Sequence, residues 1–307
     1  MKSIKHLALL TGLALVLAAC SLPGGAPPEP SATPEPTVTP TVAPTAPPRL
    51  DEAALRGGTY FLPVFNRAVT LVDGKHEEGQ ENERMTAVML PQIAWGDLDG
   101  DGLEDAALLI GENGGGSGTF VSLHAVLNRG GQAVQASSVM IDDRPRTDTL
   151  AIEGGEIVYQ GVIHAPDDVM INPTLAVIEA YVLEARGLRL AHFASGVVDG
   201  PKHTITIEAP AAGAQAGGSV SVRGSMPMGP FENNLRLRIY AENSDVLYEG
   251  PFAVQTDTIG GPAVFDNAVD LSIVPAGARA LLELAEISMK DGSVMALDTV
   301  WVTRGGD

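Results

Sequence analysis

The chain has 307 residues, 45 % of them hydrophobic and 5 % aromatic, with 38 Asp and Glu against 19 Lys and Arg. Two of the basic residues precede Cys20 and none of the acidic ones does, so the chain from Cys20 onward carries a net charge of −21. That balance excludes nucleic acid as a default partner, because a phosphate-backbone binder needs basic patches, and it opposes charge-driven docking on anionic lipid. The 35 glycines and the many β-branched residues favour strands joined by tight turns.

Residues 1–19 begin with Lys2 and Lys5 and continue in an apolar run, Leu7 to Ala19, too short for a permanent membrane span. This is the pattern of an export signal. The run ends in Leu17-Ala18-Ala19-Cys20, which resembles the lipobox of bacterial lipoproteins. The resemblance implies cleavage before Cys20, a lipid on its thiol, and a mature protein anchored at the extracytoplasmic face of a bacterial cell membrane. The alternative is an ordinary signal peptide with a chance cysteine. Cys20 is the only cysteine, so no intramolecular disulfide can form and the folded parts must hold by core packing and metal. Residues 20–50 follow as a Pro/Thr/Ala-rich spacer: Ser21 to Arg49 holds ten of the 22 prolines. Such a segment buries too little apolar surface to fold and extends as polyproline II, reaching up to roughly 90 Å.

Residues 51–200 read as an acidic all-β domain, an antiparallel meander without a convincing run of helical periodicity. Val69-Thr70-Leu71-Val72 runs into Asp73-Gly74, a two-residue hairpin signal. Asn128-Arg129-Gly130-Gly131, Glu153-Gly154-Gly155 and Arg186-Gly187 separate further apolar runs in the same way. Early in the meander stands Asp97-Leu98-Asp99-Gly100-Asp101-Gly102-Leu103-Glu104-Asp105, where residue type and spacing demand a chemical explanation. Carboxylates stand at loop positions 1, 3, 5 and 9, with Gly102 at position 6, where the backbone must turn sharply. Asp97, Asp99, Asp101, Asp105 and the Leu103 carbonyl are the expected ligands of one structural Ca²⁺. An EF-hand would need a Glu at position 12, which is Leu108, and the flanks Ala87–Leu90, Ile93–Trp95 and Ala106–Ile110 read as buried strands. The ion would therefore sit at a β-hairpin, with Trp95 as a core anchor. Gly96 to Ala107 is similar to the calcium motif of FG-GAP repeats in integrin α chains and related bacterial surface proteins. The match covers about a dozen residues once, and a propeller needs several repeats, so the resemblance implies the loop alone. The alternative is an acidic solvated turn without an ion.

Residues 201–307 form the second expected domain. Strands at Thr204–Ile207, Val220–Gly224, Leu235–Ala241, Val246–Val254, Ala263–Leu271, Ala280–Ser288 and Met295–Val302, separated by turn signals, describe a β-sandwich. Ala209 to Gly218 reads as a small-residue loop. Val220, Val222, Leu237, Ile239 and Leu284 are expected in the core, and residues 203–304 are expected to fold alone. Ile207-Glu208-Ala209-Pro210, Val220-Ser221-Val222-Arg223-Gly224, Gly229 to Leu235 and Ile287 to Ser293 carry a resemblance to the immunoglobulin-like domain of bacterial spore germination proteins. It implies an extracytoplasmic sandwich used for assembly or recognition. The predicted fold class is all-β: an antiparallel meander domain with a calcium-loop hairpin, then an immunoglobulin-like β-sandwich.

No local motif announces catalysis. Gly-x-Ser-x-Gly is absent, and His76, His124, His164, His192 and His203 stand in no zinc-binding spacing. Gly111 to Gly118 has no Gly-Lys-Ser/Thr and reads as a flexible turn. Asp142-Asp143 and Asp167-Asp168 are paired carboxylates at turns, the place where Asp satisfies backbone amides. The expectation is a non-enzymatic, lipid-anchored binding or structural protein. Its partners would be the membrane, through the lipid on Cys20, and cell-wall material, a surface protein or a glycan. The alternative is a secreted hydrolase or glycan-processing enzyme with a site assembled in residues 51–200.

Overall fold

Two-residue turns close three successive hairpins of the chain. Gly130-Gly131 and Gly154-Gly155 all take positive φ, between 60° and 86°, and close hairpins in which Arg129 faces Gln132 and Glu153 faces Glu156. That backbone matches the right-handed twist of the flanking strands, and glycine adopts it at little cost. The protein is described by a computed structural model covering residues 48–80 and 83–306; the expected signal peptide, Cys20 and the spacer up to residue 47 lie outside the described residues.

A one-turn helix α1 (Glu52–Arg56) opens the fold, capped by Asp51, whose Oδ1 accepts from the Ala54 amide at 2.7 Å. It is too short to register as a period in the sequence. The strands β1 (Thr59–Leu62) and β2 (Arg67–Thr70) pair with each other. Next come β3 (Lys75–Glu78), β4 (Met85–Gly96), β5 (Asp105–Asn113), β6 (Phe120–Arg129) and β7 (Gln132–Asp143), hydrogen-bonded in chain order. The strands β8 (Arg146–Glu153), β9 (Glu156–Ile163), β10 (Leu175–Glu184) and β11 (Gly187–Val197) continue the meander in a second sheet. After β12 (Lys202–His203) the chain forms β13 (Thr206–Ala209), β14 (Ala214–Ala216), β15 (Ser219–Met226), β16 (Asn234–Ala241), β17 (Val246–Ala253), β18 (Gln255–Thr256), β19 (Ala263–Asp270), β20 (Arg279–Ile287) and β21 (Val294–Arg304). Among the described residues one sheet has the order β13-β15-β19-β18, and a ten-stranded sheet runs β17-β16-β20-β21-β11-β10-β9-β8, with β12 and β14 as side branches. The expected 200/201 boundary falls just after the Val197–Gly200 turn, and across it β11 pairs with β21.

Three apolar clusters hold these layers. Ala106, Leu108 and Ile110 of β5 pack outward against α1, β1 and β2, while Ala107 and Leu109 pack inward against Tyr159, Val177 and Phe193. Thus β5 is covered on both faces. Leu108, Leu109 and Ile110 are fully buried, and each contributes about 2 kcal/mol, enough to offset polar residues on the same strand. In the last third of the chain, Val222 of one sheet meets Leu237, Ile239, Leu282 and Leu284 of the other, with Val220 half-buried at the edge. The expected core of the sandwich is therefore present.

Three local expectations need correction. Asp73-Gly74 makes the expected two-residue turn, with φ of 52° and 76° and both hydrogen bonds between Val72 and Lys75, but the pairing stops at that bridge: β2 pairs back onto β1 and β3 onto β4. Gly111 to Asn113 belong to β5, and the turn begins only at Gly114. The presumed small-residue loop between residues 209 and 218 contains β14, whose short side chains let it lie parallel to β21.

Candidate metal centre

The Asp97–Glu104 loop joins β4 to β5 below the last pair of their ladder, Gly96 with Asp105. Leu98 turns into the inner core and pins the loop from beneath. Gly100 and Gly102 take φ of 77° and 80°, which folds the loop over its own carboxylates. Asp97 accepts from the Gly100 amide at 2.7 Å through Oδ1 and from the Gly102 amide at 2.9 Å through Oδ2. Asp99 Oδ1 accepts from the Asp101 amide at 3.2 Å, and Asp101 Oδ1 from the Leu103 amide at 2.8 Å. The side chain of Asp105 is fully buried. Its Oδ2 accepts from the Leu98 amide and its Oδ1 from the Asn128 amide, both at 2.8 Å, so one carboxylate ties the loop to the end of β6. Burial pushes the Asp105 carboxyl above its ordinary range; the Asn128 and Leu98 amides pull it back, and the charges of Asp99 and Asp101 add to the rise.

Carboxylate oxygens of Asp97, Asp99 and Asp105 lie within 4.8 Å of one another, close enough to share a cation. Asp101 is not brought into that group. Its Oδ2 accepts from Arg129 Nη1 at 3.0 Å, while Arg129 Nη2 donates to Asp99 Oδ2 at 2.6 Å. Leu103 takes part through its amide. Hence the donor set fits a hard cation at three carboxylates, and an internal cation already holds one of these and the fourth. Arg129 escaped the sequence reading because it ends β6, 24 residues beyond Asp105 and past the β5–β6 turn. The only available signal was an arginine beside the Gly130-Gly131 turn within a strongly acidic segment.

The other acidic and basic groups singled out by sequence have structural partners. Asp143 accepts from the Thr119 amide, Asp142 from the His164 amide, and Asp168 from the Ala165 and Thr174 amides, while Asp167 pairs with Lys290. His164 Nδ1 lies 2.8 Å from Asp142 and His203 Nδ1 lies 2.9 Å from Glu286. His124 is fully buried, edge-on to Tyr60, and burial drops it to about 3. Glu112 anchors the β1–β2 turn by accepting from the Val64 and Phe65 amides at 3.0 and 3.1 Å, with Ser122 on its other oxygen. Glu179 faces the inner core with Tyr181 donating to it at 2.9 Å, and burial raises it to about 7.

No curated protein and no solved structure matches the chain. Residues 204–293, which span β13 to β20 of the sandwich, match the family described as the immunoglobulin-like domain of bacterial spore germination.

Proposed function

We propose that this chain is a lipid-anchored, extracytoplasmic binding protein, with a calcium-supported first half and an immunoglobulin-like second half. The observation that carries the reading is the match of residues 204–293 to an immunoglobulin-like domain family, a sandwich type whose exposed faces and loops serve assembly and recognition. The family description mentions spore germination; what we carry over to this chain is a structural or binding role. The lipobox-like Leu17 to Cys20 supports an anchor, and the Pro-rich residues 20–50 support a spacer between anchor and fold. Calcium would be held by Asp97, Asp99 and Asp105, with Asp101 joining once it leaves Arg129. It would neutralise carboxylates that otherwise repel, so its contribution is to order the β4–β5 hairpin. At a dissociation constant of roughly 0.1–1 mM, about 1 mM calcium stabilises the fold by about 0.4–1.4 kcal/mol.

Two measurements test this. Labelled palmitate should enter the wild-type protein in the membrane fraction and be lost in Cys20→Ala; label retained in the Ala variant overturns the anchor. Thermal melts with calcium and with chelator should differ for wild type and coincide for Asp99→Ala. A wild-type midpoint indifferent to calcium rules the ion out, and a shift that survives in Asp99→Ala places it elsewhere.

A further inference from the structure

Large apolar side chains at 62 % exposure or more are, among the described residues, Val72 and seven others. Of those seven, Val197 at the end of β11 and Phe231, Ile259 and Met289 on loops of the sandwich line one groove at the junction of the two halves, and Val169-Met170-Ile171 stand on the loop whose Ala165, Asp167 and Thr174 line the same groove. The groove consists of two hollows of about 690 and 350 Å³ that share walls made by His203, Met228, Ser288, Lys290 and Met295. The ion pair between Lys290 and Asp167 fastens the 165–174 loop to the sandwich, and Arg144 holds the same loop through the Met170 carbonyl at 2.6 Å. Exposed apolar side chains gathered on ordered loops around a concave surface are the mark of an interaction site.

The charges around the groove select the occupant. Segments 164–174, 197–203, 228–234, 257–261 and 286–292 carry seven carboxylates and two lysines; with Glu286 buried against His203 and Asp167 paired with Lys290, five carboxylates face one lysine. An acidic rim around apolar walls attracts a partner with Lys or Arg beside large apolar side chains and repels anionic lipid. The concave shape suits a chain segment more than a flat bilayer, since alternate side chains of an extended peptide can enter successive hollows.

We infer that this groove is the docking surface for an extended segment of a partner protein, bearing large apolar side chains flanked by basic residues. The inference rests on the binding-protein reading above and names the surface and partner chemistry that the reading leaves open. Phe231 and Met289 are its two anchors on the sandwich, and Ala165, Asp167 and Thr174 bound it from the first half.

The test is a selection of random twelve-residue peptides displayed on phage against the immobilised full chain carrying Cys20→Ser, with the same chain also carrying Phe231→Ser and Met289→Ser as the counter-target. Peptides with large apolar residues beside Lys or Arg should enrich on the first target and not on the second. A synthetic consensus peptide should lose about tenfold or more in affinity against the double variant by fluorescence anisotropy. The melting midpoints of the two chains should agree, because both substituted side chains are exposed. Absence of enrichment, an acidic consensus, equal binding to both targets, or binding to phosphatidylcholine vesicles in place of peptides overturns the proposal. Those outcomes leave the palmitate and calcium tests unaffected, so the two readings fail separately.

Discussion

The two halves of the molecule bury different things. Of the nine polar or charged side chains buried among the described residues, eight lie before residue 200: Asp105, Glu112, Ser122, His124, Asn128, Asp143, Glu179 and Ser195. The sandwich that follows contributes only Glu286, and its core of Val222, Leu237, Ile239, Phe252, Phe265, Leu282 and Leu284 is apolar. The difference follows from layering. A strand with one covered face can send its polar residues outward, whereas β5 and β6 are covered on both faces and have no outward side. Their polar residues must find partners inside: Asp105 and Glu112 take backbone amides, Ser122 donates to Glu112, His124 meets Gln135, and Asn128 donates to the Pro48 carbonyl. Asp105, Glu112 and Asp143 in the first half therefore act as fasteners of loops, while the fully buried interior of the second half is apolar apart from Glu286.

The comparison breaks most sharply if a fastener proves dispensable. Leu284→Ala opens a cavity in the sandwich and should cost about 3 kcal/mol in urea unfolding. Glu112→Ala strands the Val64 and Phe65 amides and should cost about as much, although a glutamate read from sequence alone belongs on the surface. A loss below about 1 kcal/mol for Glu112→Ala would mean that the outer layer is held by Leu55, Tyr60 and Leu62 instead.

A comparable effect is expected from acidity. Burial lifts Glu179 from the ordinary glutamate value of 4.5 to about 7, so between those values the folded chain keeps a proton that the unfolded chain has released. Its contribution to stability is therefore greatest below pH 4.5, falls as pH rises through 7, and is flat above, a span of about 3 kcal/mol. Glu179→Gln keeps the shape without the titration and should flatten that part of the stability profile, gaining most over wild type above pH 7. Parallel profiles for the two proteins would show that Glu179 is charged in the fold.

Most of the sandwich was legible in the sequence and least of the loop's surroundings was. Alternation places Val220 with Val222 and Leu237 with Ile239 because one face of each strand meets solvent. In β5 the run Ala106 to Ile110 identifies a buried strand but carries no sign of which neighbour covers which face. The carboxylate spacing from Asp97 to Asp105 was equally plain, since the groups that converge lie within nine residues. That Asp101 turns to Arg129, and that Asp105 spends both oxygens on amides, depends on β6 returning beside the loop, which no local pattern encodes.

The smallest predicted effect concerns that same arginine. Calcium and Arg129 compete for Asp99 and Asp101, so on the calcium reading Arg129→Ala should tighten calcium binding severalfold by titration calorimetry. The gain should shrink at high salt, where the exposed ion pair is already screened. Unchanged or weaker binding would make Arg129 a support of the loop instead of a rival to the ion.

The ten-stranded sheet has a mechanical consequence. Along it, β10 and β11 share ten facing pairs and β20 and β21 share nine, but β11 and β21 meet over only three, His192 with Asp298, Phe193 with Leu297 and Ala194 with Ala296. A load that parts the halves falls on that seam, on Ala285 and Leu297 reaching into the inner core, and on the side-chain bonds of Ser195 to the Met295 carbonyl and Thr299 to the Ala191 carbonyl. Under a pull applied across the sheet, the three-pair β11–β21 seam should yield before the ten-pair β10–β11 and nine-pair β20–β21 ladders.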